Sequence, residues 1–149
     1  MKEKHVIAAT AEMRGDARRV YEILADYKEG HQRILPPQFQ RLQVERGGYG
    51  EGTVIRVEMK LLGATRTFRA AITEPKPGRV LVEADVERDG PVTTFTVERL
   101  PGSGWSRVKI ETVVQVRKGL LGRFERWMAT HLLRPIYDRE LEMLSAAVV

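Results

Sequence analysis

The stretch GLLGRFERWMATHLLRPIYDRELEMLSAAVV, Gly119 to Val149, decides how the rest of the chain must be arranged. Leu120, Leu121, Phe124, Trp127, Met128, Leu132, Ile136, Leu141 and Leu144 recur in it at spacings of three, four and one, a stripe wider than a coiled-coil seam. Pro135 removes one backbone donor and crowds the preceding turn, which predicts a kink and not a stop. At about 1.5 Å per residue such a helix runs roughly 40 Å. No other segment reads as a long helix, so this apolar face must lie along strands. Seven strands at roughly 4.8 Å each span ~34 Å, close to the helix length. One long helix across a broad antiparallel sheet is the expected architecture.

The upstream sequence supplies those strands. His5 to Met13 reads as the first, and Asp16 is a good N-cap for Ala17 to Ala25, with Val20, Ile23 and Leu24 on one face. Asp26 caps a second short helix, Tyr27 to Arg33, which Pro36 and Pro37 end. From Phe39 the period changes to two. Strands are expected over Phe39–Arg46, Thr53–Leu62, Thr65–Thr73, Arg79–Glu87, Val92–Leu100 and Trp105–Arg117, joined by Gly/Pro turns and paired antiparallel. Val80, Val82, Ala84 and Val86 share a phase, so Glu83 and Asp85 are expected to face solvent.

Composition narrows the class. With 149 residues, 42% hydrophobic and 30% charged, the chain reads as one globular domain, 1–149. There are no cysteines, which excludes thiol catalysis and disulfides. The short run Val6 to Ala11 is too brief for a signal peptide, and a cytoplasmic location follows by default. Net charge is +5, from 25 Lys+Arg against 20 Asp+Glu, without a block of five like charges. No dedicated nucleic-acid site is expected, while a mild, transient attraction to an anionic membrane surface stays open.

Chemical motifs are sparse. His5 reads as a surface residue, and no histidine pair has metal-ligand spacing, so no metal is expected. Gly47–Gly52 opens a strand without a following lysine, and no serine sits in Gly-x-Ser-x-Gly; no cofactor is expected. Asp138, Glu140 and Glu142 read as the polar side of the long helix, paired with neighbouring arginines, and no carboxylate dyad is apparent.

Taken with particular residues, the element order resembles the START/Bet v 1-like (SRPBCC) superfamily, and within it the bacterial polyketide cyclase/dehydrase-like proteins. The carrying residues are Val20-Tyr21-Glu22-Ile23-Leu24-Ala25-Asp26-Tyr27, Ile34-Leu35-Pro36-Pro37, Gly52-Thr53-Val54, Thr73 to Leu81, and the helix from Gly119. The resemblance implies an α+β helix-grip: a curved seven-stranded antiparallel sheet around the long helix, two short helices after strand 1, and an internal cavity for an apolar ligand. Expected ligand-facing residues are Ile55, Val57, Met59, Phe68, Ile72, Val82, Val108, Ile110, Phe124, Trp127, Met128 and His131. The resemblance also implies His31 at the cavity rim and Tyr49 near its mouth.

The expected function is binding or carrying of a lipid, polyketide or quinone type of molecule, by a monomer or weak dimer. One alternative is a cyclase/aromatase-type enzyme in which His131, Tyr137 or His31 moves a proton. A second is a macromolecular interaction module.

Overall fold

The computed structural model describes residues 2–87, 89–102 and 104–149. In chain order the elements are β1 (Lys2–Arg14), α1 (Ala17–Ala25), α2 (Gly30–Arg33), β2 (Phe39–Arg46), β3 (Val54–Leu61), β4 (Ala64–Lys76), β5 (Val80–Asp85), β6 (Val92–Leu100), β7 (Trp105–Arg117) and α3 (Gly119–Val148). Seven strands form one sheet in the order β1-β7-β6-β5-β4-β3-β2, every neighbour antiparallel. The β3–β4 hairpin turns on Leu62 (φ 52°) and Gly63 (φ 80°), the doubly left-handed conformation that matches the strand twist of a two-residue link.

The short helices are fixed by polar contacts at their ends and by one glycine. Asp16 caps α1, accepting from the Arg18 amide at 3.4 Å. Asp26 closes α1 and accepts from the amides of Lys28, Glu29 and Gly30, so residues 27–29 are a turn and α2 begins at Gly30, without a side-chain cap, and not at Tyr27 as expected. A side chain on Gly30 would sit 2.7 Å from the Ile23 carbonyl oxygen, so only glycine lets α2 approach α1 this closely. Tyr21 donates to Glu74 Oε2 at 2.6 Å and ties α1 to the sheet.

α3 runs unbroken through Pro135 for 30 residues. Its buried residues are Gly122 near the start and then Ile136, Tyr137, Glu140, Leu141 and Leu144, all beyond the proline. Leu144 and Leu141 join Ile7, Val20, Leu24, Phe95 and Val108 in the core.

Two expectations fail here. The stripe on α3 is not one face: Leu120, Leu121, Phe124 and Trp127 are exposed by 81, 58, 56 and 57%. At about 100° per residue Phe124 lies roughly 160° around the helix from Leu144, so counting apolar spacings merged two opposite faces. The phase of β5 is also inverted. Leu81 is the fully buried residue, Val86 is exposed, and Glu83 and Asp85 face inward. The register explains it, since Glu83 lies opposite Ile72 on β4 and Thr93 on β6, both inward-facing.

Candidate functional site

The sheet and α3 enclose a cavity of about 740 Å³. Packed interiors have few voids larger than one water, near 30 Å³. Met128, Ala129, Leu132 and Leu133 of α3 line it on the helix side. Exposed lining residues such as Lys2, Ala64, Arg66 and Asp89 mark the mouth, and buried ones such as His31, Phe95, Thr112, Tyr137 and Glu140 mark the inner end.

Of the residues expected to face a ligand, Ile55, Val57, Met59, Phe68 and Met128 line this space. Ile72, Val108 and Ile110 are instead closed into the core, and Val82 lies on the opposite side of β5. Phe124, Trp127 and His131 stand outside the cavity. The Trp127 and His131 rings lie 4.4 Å apart on the outer surface, and His131 Nδ1 pairs with the Trp127 carbonyl at 3.0 Å. Tyr49 is 58% exposed and borders a separate surface depression with Arg19 and Asp26. His5 Nε2 meets Thr130 Oγ1 at 2.9 Å, joining β1 to α3.

The inner end carries a polar cluster in an apolar wall. His31 is 2% exposed, so it lies at the interior and not at the rim. Its Nδ1–H donates to the Leu24 carbonyl at 2.8 Å, because a carbonyl can only accept; this contact follows from the close α1–α2 packing at Gly30. That bond assigns the proton to Nδ1 and turns Nε2 toward two carboxyl groups, Glu83 Oε2 at 3.4 Å and Glu140 Oε1 at 3.9 Å. The Tyr27 ring stacks on His31 with centroids 4.4 Å apart, and Phe95 meets it edge-on at 5.6 Å.

Tyr27 donates its hydroxyl to Glu83 Oε2 at 2.6 Å. Burial, and then the charge of Glu83, push the Tyr27 phenol well above its ordinary range. Tyr137 and Thr112 share a hydrogen bond of 2.6 Å, and Thr112 shares another of 2.7 Å with Thr93. Burial raises the Tyr137 phenol to about 12. Glu140 is driven well above the carboxylate range, first by loss of water and then by Glu83.

The expectations of solvated Glu83 and Glu140, and of no carboxylate dyad, are therefore corrected. These two carboxyl groups flank one buried imidazole. Glu140 was legible in spacing, since it stands four residues from both Ile136 and Leu144 on the buried face; its polarity hid it. Glu83 was not, because its phase depends on the irregular register between Thr73 and Lys76. Among the described residues no three His, Asp or Glu side chains are arranged to hold a metal ion.

A curved antiparallel sheet closed over one long helix, with a polar-ended cavity between them, defines a helix-grip protein. Over residues 4–149 the chain matches the family described as polyketide cyclase / dehydrase and lipid transport, and it belongs to that family. It is similar to the solved KanY protein, with 25% identity, 98% of each chain covered and a TM-score of 0.84. It also shares its fold with the ZhuI aromatase/cyclase from Streptomyces sp. R1128, at 17% identity, 98% of this chain, 94% of that one and a TM-score of 0.78. Norcoclaurine synthase from Thalictrum flavum, solved with dopamine and hydroxybenzaldehyde, matches at 16% identity, 99% and 87% coverage and a TM-score of 0.73. No curated protein matches the chain.

Proposed function

We propose that this chain, acting as a single domain, binds and carries an apolar small molecule of lipid, polyketide or quinone type in the cavity. One observation carries the reading: a void of about 740 Å³, walled by Ile55, Met59, Phe68 and Leu132, ends in convergent polar groups. Ligand pockets have this size and this mixture, commonly about 300–1,000 Å³.

The uncharged dye Nile red tests it, since its emission rises in apolar surroundings. The wild-type protein is expected to take up one equivalent, seen also as an added mass in native mass spectrometry. Ala129 lines the cavity from α3, so Ala129→Trp narrows it and lowers dye affinity at least about ten-fold while the fold persists. Dye binding that ignores this substitution would place the guest elsewhere.

The buried cluster supports a second reading, a cyclase-type enzyme that moves protons through His31 and Tyr137. Both meet the cavity, whereas His131 does not. Turnover of a bound polyketone that survives His31→Gln would remove it.

Contact with an anionic membrane belongs to the carrier reading. Leu120, Leu121, Phe124 and Trp127 form an exposed apolar patch beside exposed Lys118 and Arg123, the composition of a helix that lies in a lipid interface. Vesicles of phosphatidylcholine and phosphatidylserine are expected to bind the protein at low salt and to shift Trp127 fluorescence to shorter wavelength. Leu121→Ser with Trp127→Ser weakens that binding at least about ten-fold. Vesicle binding unaffected by the double substitution would dismiss the patch.

A further inference from the structure

One polar group in the cavity wall lacks a partner within the protein. The Glu140 side chain is 4% exposed, and its ionic contact with His31 Nε2, at 3.9 Å, lies beyond hydrogen-bond reach. Among the described residues it makes no hydrogen bond. Buried carboxyl groups are normally hydrogen-bonded, because leaving one unmade forfeits its interaction with water. Glu140 opens onto the cavity, so its carboxyl oxygens are free to meet water or a bound molecule there.

Charge narrows the partner's chemistry. The surrounding groups are already engaged: Glu83 accepts from Tyr27, His31 donates to Leu24, and Tyr137 pairs with Thr112. An anionic head would meet Glu83 here, while the cationic lining residues Lys2 and Arg66 stand at the exposed mouth. A protonated carboxyl offers one donor and one acceptor, which suits a neutral oxygen.

We infer that Glu140 hydrogen-bonds an uncharged oxygen head, hydroxyl or carbonyl, of an apolar ligand, and that this end of the cavity rejects carboxylate heads. The inference rests on the cavity being a ligand site.

Displacement of bound Nile red at neutral pH by two compounds with one shared tail tests it: 1-decanol and decanoate. Decanol is expected to displace the dye at a concentration at least about ten-fold lower than decanoate. Glu140→Leu weakens decanol about ten-fold, whereas Glu140→Gln, which still donates and accepts, stays within about three-fold of wild type. Decanoate equal to decanol, or a leucine variant with wild-type affinity for decanol, overturns the inference. If Glu140→Leu fails to fold, the wild-type series and Glu140→Gln decide. Wild-type protein that binds no Nile red defeats the ligand-site reading itself. Dye that binds and is not displaced by decanol defeats only the head-group assignment.

Discussion

Leu144→Ala is expected to cost about 2–5 kcal/mol of folding stability, a large share of the roughly 5–15 kcal/mol available to a domain. Leu144 is 1% exposed and packs into the core on the half of α3 that the sheet grips. Truncation there leaves a hole among atoms that are fixed on every side, so little collapse can offset it. Leu132 offers the control. It borders the existing cavity and has fewer neighbours to lose, so Leu132→Ala should cost only about 1 kcal/mol. Urea unfolding with unchanged slope measures both. Equal losses at the two positions would mean that the cavity is collapsed and α3 is packed along its whole length.

The second large effect concerns pH. Glu140 holds its proton well above the ordinary value of 4.5, because burial and Glu83 both oppose its charge. Below 4.5 the folded and unfolded chains are both protonated at this site, and burial of its charge costs nothing. As pH rises past 4.5 the unfolded chain releases the proton and the folded chain keeps it, so stability falls by about 1.4 kcal/mol per pH unit until the native group also ionises. Glu140→Gln removes this dependence while keeping size and hydrogen-bonding capacity. The variant should match wild type near pH 4.5 and become progressively more stable than it as pH rises above that value. Urea midpoints across that range report the difference. Parallel curves for the two proteins would show that Glu140 is ionised in the fold.

Much of the architecture was readable because it rests on periodicity. The seven strands, the cap Asp16 and the long helix follow from patterns of two and 3.6 and from a short polar–backbone bond. The phases of β3, β4 and β7 were legible for the same reason, with Ile55, Ile72, Val108 and Ile110 all buried.

The site was harder to read because it breaks the rule that polar residues face water. Counting apolar residues on β5 turned Glu83 outward, and grouping Glu140 with Asp138 and Glu142 ignored its four-residue step to Leu144. His31 was noticed but placed too far out, since its depth depends on the tertiary approach of α2 to α1 at Gly30. On α3, long-range geometry separates Trp127 outside from Met128 inside, although the two are adjacent in sequence.

The placement of Pro135 has an evolutionary corollary. Apart from Gly122, every buried residue of α3 follows it, while Met128, Ala129 and Leu132 before it border the guest chamber. Substitutions at Met128, Ala129 and Leu132 therefore reshape the cavity wall on the half of the helix that carries fewer buried residues, while Tyr137 and Glu140 beyond the proline serve both the wall and the core. On the proposed binding reading, changes at those three positions can alter what the cavity admits by small steps while the chain stays above the threshold for folding.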